Sequence, residues 1–285
     1  MFLNQRSLLT SFTIALSIAI ALIFSAPSEA LQAQVNPQSP ALGDTISLMV
    51  QAQTAPTATL NGKSYAMFDL GNNRYRALLP TTPLDRPGQL SIEVTAGTET
   101  RKIPLTLRNR SFPTQRIWLA PGKDEGSDAE FDRVDEFKAI VSPKKLWTGK
   151  FARPNSGGVT SGYGIRRYYN GVFAKDYYHR GIDYAGNYGS AIVAPAAGRI
   201  ALVGREANGF KIHGNCVGID HGQGVETIYL HLSRIDVKEG DFVKIGQRIG
   251  ALGDTGAATG PNLHWGVYVH GLAVDPTPWR TTEFQ

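Results

Sequence analysis

Between Val35 and about Asn109, apolar and polar residues alternate at period two in short runs. These are Thr45-Ile-Ser-Leu-Met-Val50, Thr57-Ala-Thr-Leu60, Tyr75-Arg-Ala-Leu-Leu79, Leu90-Ser-Ile-Glu-Val94 and Arg101 to Leu107. Successive strand side chains point to opposite faces, so each run can bury one face and wet the other. Gly-Asp, Asn-Gly, Gly-Asn-Asn and Pro-Gly separate the runs, and these residues supply the backbone conformations that tight turns need. The pattern predicts a small antiparallel Ig-like β-sandwich over 31–112. It holds no catalytic constellation, so a spacer or protein-binding module is its expected role.

The period changes at Ser127. Ser127-Asp-Ala-Glu130 is a capping box, and Phe131, Val134, Phe137 and Val141 recur at near-helical spacing until Pro143. This predicts a helix near 128–141 inside a linker over 113–150. From Leu146 onward the pattern returns to short β runs rich in Gly, through Ile192-Val-Ala-Pro195, Arg199-Ile-Ala-Leu-Val203, Cys216-Val-Gly-Ile219 and Glu226-Thr-Ile-Tyr-Leu230. The expected fold class is therefore all-β, with a second β domain over 151–285. Val237 to Val243 is echoed at once by Val243 to Ile249, an internal repeat of hairpin size.

Arg6 precedes an uncharged run from Leu8 to Phe24, which gives way to small residues ending in Ser28-Glu29-Ala30. That order is the n-, h- and c-region order of a secretory signal peptide over 1–30, with a retained membrane anchor as the alternative. Export would place the protein in the periplasm or at the cell wall. Membrane contact would come only through this segment if it stays uncleaved. The formal charge is +5, from 29 Lys and Arg against 24 Asp and Glu. A mildly basic exported chain suits an anionic polymer, and without a dense Lys/Arg block nothing indicates nucleic acid. Cys216 is the only cysteine, so an intramolecular disulfide is excluded, and its alternating context makes it a buried strand residue rather than a nucleophile.

Candidate chemistry sits in two motifs: His179 and Asp183 in Tyr-His-Arg-Gly-Ile-Asp, and Asn262-Leu-His264 some eighty residues later. Two imidazoles and a carboxylate are a donor set that suits a catalytic zinc, with a fourth position left for water. Along 263–269 the alternation puts Leu263, Trp265, Val267 and Val269 on one face, and Asn262, His264 and Tyr268 on the other. Thr227, Tyr229 and His231 alternate in the same way, which places His231 on a polar face. Gly181 permits a bend that brings His179 and Asp183 to one point. His213, His221 and His270 are expected to be ordinary structural histidines.

The sequence resembles the lysostaphin-like zinc peptidases of bacterial cell walls. The resemblance runs through Ser161-Gly-Tyr-Gly-Ile-Arg-Arg167, His179 to Asp183, Gly214 to Gly222, Tyr229-Leu-His-Leu232, Val237 to Gly250 and Thr255 to Trp265. It implies a β-groove fold, zinc held by His179, Asp183 and His264, and His231 as a catalytic histidine. It also implies peptidoglycan as the partner, with cleavage of peptide bonds in its stems or cross-links. Position 262 departs from the pattern, because active members carry a second catalytic histidine where this chain has Asn262. Two expectations follow: an endopeptidase that works with Asn262, or a catalytically weak or inactive wall-binding or regulatory module. The N-terminal domain could also bind a protein partner.

Overall fold

The computed structural model describes residues 31–122 and 125–284. The proposed signal segment, 1–30, lies outside the described residues. Among the described residues, no helix is long and apolar enough to cross a membrane. The protein is nearly all β, as the alternating pattern predicts.

Residues 31–107 form two four-stranded antiparallel sheets. One contains Gln32–Asn36, Thr45–Gln51, Arg74–Pro80 and Phe68–Asp69; the other contains Lys63–Tyr65, Thr57–Leu60, Gly88–Ala96 and Glu99–Leu107. Ile46, Leu48, Val50, Ala58, Leu60, Leu79, Ile92, Val94 and Leu105 meet in one core between them. The same alternation that fills this core sends Arg76 out of it. Its guanidinium is buried, donates to Gln223 Oε1 and to Phe284 O (3.3 Å), and lies 5.1 Å from the Trp147 ring. Leu78 joins the core of the second domain, and Trp279 Nε1 donates to Thr45 Oγ1 at 3.2 Å. The sandwich is thus joined to the second domain by buried contacts, which a free spacer would lack.

The second domain is built on an eight-stranded antiparallel sheet. Its order is Gly158–Ser161, Ile182–Ala185, Asn262–Val269, Val225–Leu230, Cys216–Gly222, Gly198–Gly204 and Phe242–Val243, with Leu272–Val274 also pairing on the 262–269 strand. A three-stranded sheet of Ala191–Val193, Arg248–Leu252 and Leu232–Ile235 packs over one face. Tyr229, Trp265, Leu263 and Val267 fill the space between them. The internal repeat proves to be two successive turns rather than a hairpin. Lys238 N donates to Asp241 Oδ2, and Lys244 N to Gln247 Oε1, both at 3.0 Å, with Gly240 and Gly246 at positive φ.

The helix α1, Asp128–Lys138, covers the other face of the large sheet. It stops before Val141, which is 44% exposed. Phe137 is 1% exposed and rests on the bare backbone of Gly218, where a Cβ would come within 2.6 Å of its ring. Burying such a ring contributes roughly 2–3 kcal/mol. Only half of the capping box forms: Ser127 Oγ accepts from Glu130 N at 3.1 Å, while the Glu130 carboxylate turns away from the helix start.

Candidate metal centre and groove

Strand register brings the two motifs together. Asp183 stands opposite His264, and Ala185 opposite Asn262, in the antiparallel pair formed by 182–185 and 262–269. Residues directly opposite on adjacent strands share a face, so Asp183, His264 and Asn262 point the same way. His179 precedes this strand and is held by its own backbone, with His179 N donating to Ile165 O at 2.8 Å and Gly164 N donating to His179 O at 2.9 Å. Gly181 is needed for space rather than for a left-handed bend. A Cβ there would lie 2.4 Å from Trp265 O and 2.7 Å from His264 Nε2.

The result is a triangle of donor atoms. His179 Nε2 is 2.9 Å from Asp183 Oδ1 and 3.0 Å from His264 Nδ1, and His264 Nδ1 is 2.9 Å from Asp183 Oδ1. Among the described residues, this is the group of three His, Cys, Asp or Glu side chains able to hold a metal ion. A tetrahedral ion bonded at about 2.0–2.1 Å places its donors about 3.3 Å apart, so the triangle needs to open only slightly. The tautomers also fit. Gly162 O lies 2.6 Å from His179 Nδ1, and a carbonyl only accepts, so Nδ1 carries the proton and Nε2 offers its lone pair. Burial lowers the His264 pKa to about 4, against the opposing pull of Asp183, which leaves the ring neutral and able to ligate. Burial also pushes the Asp183 carboxyl up, but its close contacts with His179 and His264 outweigh it and hold it well below the usual carboxylate range.

Arg167 completes the centre, and the sequence reading gave it no role. Its Nη2 lies 3.3 Å from Asp183 Oδ2, the oxygen turned away from the two histidines. Burial opposes the charge of Arg167, yet Tyr169, Tyr177 and Asp183 together raise its pKa. A buried carboxylate ligand needs a partner for its second oxygen, but nothing local in the Gly-Tyr-Gly-Ile-Arg-Arg run marks Arg167 as that partner.

His231 reaches the groove by a route that alternation misses. Leu230 is opposite His264 and faces the groove, whereas Thr227 and Tyr229 face the buried interior, where Thr227 Oγ1 meets His221 Nε2 at 2.8 Å. Continued alternation would bury His231 on that inner face. Instead the strand ends at Leu230, and His231 takes φ = +68°, in the left-handed region that non-glycine residues rarely occupy. Its Nδ1–H donates to Thr255 O at 2.8 Å. The ring thereby presents Nε2 as an acceptor.

Asp183, His264, His231 and Asn262 all line a groove of about 1020 Å³. Asn262 Nδ2 donates to Gly260 O at 2.7 Å, within its own loop. The linker, read from the sequence as a helix-bearing connection rather than as part of the site, forms part of the groove wall. Thr114–Ile117 pairs in parallel with Arg166–Tyr169, and Gln115, Ile117, Trp118, Phe131, Val134 and Lys138 all face the groove. Of the three histidines expected to be structural, His221 is buried with both ring nitrogens bonded, to Ala197 O and Thr227 Oγ1. His213 differs, because it lines the groove. Cys216 is buried, and burial pushes its thiol pKa up to about 12, which fits the inert strand residue expected.

A β groove in which two imidazoles and one carboxylate converge, with a further histidine beside them, is the kind of single-metal site that metallopeptidases use. Residues 177–276 match the model of Peptidase family M23, and the chain carries a domain of that family. The DD-carboxypeptidase/endopeptidase Mpg of Neisseria meningitidis is 44% identical over 98 residues, covering 34% of this chain and 22% of that protein. Peptidoglycan DD-endopeptidase ShyC of Vibrio cholerae is 42% identical over 105 residues, covering 37% and 23%. The chain therefore spans less than a quarter of the length of these curated relatives. The crystal structure of a Pseudomonas aeruginosa protein assigned to peptidase M23 superposes with TM-score 0.64 at 27% identity, covering 86% of this chain and 95% of that one.

Proposed function

We propose that the protein is an exported, zinc-dependent endopeptidase that hydrolyses peptide bonds in peptidoglycan, with directly cross-linked stems as the favoured substrate. The observation that carries this reading is the His179–Asp183–His264 donor triangle on the wall of a groove of about 1020 Å³. Two nitrogens and one oxygen suit zinc, and the names of the Neisseria and Vibrio relatives supply the substrate class.

In this reading His179, Asp183 and His264 hold the ion, and Arg167 fixes the orientation of Asp183. Bound zinc would lower the pKa of a water to about 7 and polarise the scissile carbonyl. His231 accepts the water's proton at Nε2, because Nδ1–H is committed to Thr255 O. Asn262 lies where it can hydrogen-bond the substrate but cannot accept and return a proton. The groove walls from the linker and from 257–262 hold the peptide and exclude bulk water.

Purified full-length protein should bind one zinc and release new amines from cross-linked muropeptides, and His179→Ala should lose both. Zinc-loaded wild type that releases no amine from any cross-link type would overturn the hydrolase reading. One observation favours the second reading, a catalytically weak or inactive wall-binding module: the Asn262 amide is already engaged by Gly260 O. Asn262→His separates the two.

A further inference from the structure

Glu130 and His213 come from segments far apart in the chain, and neither role was expected. The Glu130 side chain is fully buried and its carboxylate is filled by one loop. Oε1 accepts from His213 N at 2.7 Å and lies 2.6 Å from His213 Nδ1, and Oε2 accepts from Lys211 N at 2.9 Å. Ile212 N donates to both oxygens, at 3.1 and 3.2 Å. Burial alone would raise the Glu130 pKa, but the bonds from His213 and Ile212 outweigh it, so the carboxyl stays ionised. An ionised carboxylate only accepts, which assigns the proton to His213 Nδ1 and leaves Nε2 for the groove. The ring is 15% exposed and stands edge-on to Phe131, 6.1 Å away between centroids. Its backbone oxygen accepts from His231 N at 3.1 Å, so the two histidines sit on bonded neighbouring segments of the groove wall.

The geometry points to His213, oriented by Glu130, as a second proton-handling imidazole that touches the peptide substrate and serves where Asn262 cannot; this rests on the hydrolase reading above. Peptide hydrolysis needs two proton movements. The water oxygen bonds to the carbonyl carbon while one water proton passes to His231 Nε2. The C–N bond breaks and the leaving nitrogen takes the proton of a protonated His213 Nε2–H, after which both rings re-equilibrate with solvent. The buried Glu130 carboxylate on Nδ1 fixes the tautomer and orientation of the ring for this step. His213 and His231 have parallel arrangements, each with Nδ1–H on a fixed acceptor and its ring on the groove wall.

A purely structural role for His213, anchoring its loop to α1, predicts a different mutant pattern. Asn reproduces the Nδ1–H donor of histidine but has no exchangeable ring proton. His213→Asn therefore keeps the bond to Glu130 and loses proton transfer. We expect His213→Asn and His213→Ala both to lower kcat on cross-linked muropeptide by about 100-fold or more. KM, zinc content and melting temperature of His213→Asn should stay near wild type. His213→Asn with kcat within about threefold of wild type overturns the inference while leaving the hydrolase reading intact. Zinc-loaded wild type without hydrolysis removes the hydrolase reading and this inference with it. A second measurement does not depend on the variants folding: in ¹⁵N-histidine-labelled, zinc-loaded full chain, saturating stem tetrapeptide should shift the His213 Nε2 resonance. No shift at saturation overturns the contact with substrate.

Discussion

Arg167 Nη2 sits 3.3 Å from Asp183 Oδ2, while Asp183 Oδ1 is the oxygen that meets His179 and His264. The carboxylate is thus divided between a guanidinium and the candidate metal. Arg167 also donates to Gln115 Oε1 at 3.2 Å and to Tyr169 OH at 3.3 Å, which ties the linker strand to the centre. Removing a partner that orients a ligand typically costs 10- to 100-fold in metal affinity. Arg167→Ala should weaken zinc binding by about that factor in competition with a chromophoric chelator. Lys cannot reproduce the planar fork, so Arg167→Lys should recover only part of the loss. Wild-type affinity in Arg167→Ala would mean that Asp183 is oriented by its strand alone.

Gly181 offers a second test of the centre. A methyl group there would press on the Trp265 carbonyl and on His264 Nε2, at 2.4 and 2.7 Å. Backbone on the neighbouring strand cannot yield as a flexible side chain does, so overpacking of this kind costs about 1–3 kcal/mol. Gly181→Ala should lower the denaturation midpoint and weaken zinc binding together, because the clash falls on a ligand. A variant that lost stability but kept full zinc affinity would show that His264 is not displaced.

His221 sets a pH dependence independent of the metal. Burial lowers its pKa to about 4 from the ordinary 6.5, with Ala197 O pulling weakly the other way. A depressed folded pKa favours the neutral ring in the folded state. Its stabilisation is therefore complete above pH 6.5 and is lost as pH falls from 6.5 towards 4, with no further loss below that. A shift of that size corresponds to roughly 3 kcal/mol. Melting temperatures of the metal-free protein should drop across this window, and His221→Gln, which cannot charge, should give a flatter profile. Parallel profiles would place the pH sensitivity in other groups, among them His264 and His270, whose pKa values burial also lowers to about 4.

How far the site was legible depended on whether a contact was local. Asn262 and His264 lie on a regular strand, so period two alone assigned their common face. The same rule misplaced the surroundings of His231. It put His231 beside Thr227 and Tyr229, which are buried, because nothing in the sequence announces that His231 leaves the strand at φ = +68° and lines the groove instead. Arg167 and Glu130 were hidden for a different reason. Their partners are 16 and 83 residues away, and patterning along the chain carries no information about such pairs. Glu130 also satisfied a local rule, the capping box, which drew attention from the longer-range bonds it makes. The sandwich core followed its alternation closely, whereas buried Arg76, on the same strand, answers to Gln223 and Trp147 in the other domain.

Position 262 now has a specific expectation. Asn262 Nδ2 donates to Gly260 O at 2.7 Å, and histidine Nδ1–H occupies the place of that donor, as His179 does on Gly162 O and His231 on Thr255 O. Asn262→His should therefore keep the loop and add a free Nε2 to the groove. If the wild type were inactive for want of an imidazole, the gain in kcat would be about 100- to 1000-fold from near zero. If His213 already supplies the second imidazole, the gain in the wild-type background should stay below about tenfold. The same substitution in His213→Asn should then recover about 10- to 100-fold, because it restores a group that the single variant lacks. The two substitutions would be strongly non-additive, the signature of residues serving one step. Additive effects would instead assign His213 and position 262 to separate tasks in the groove.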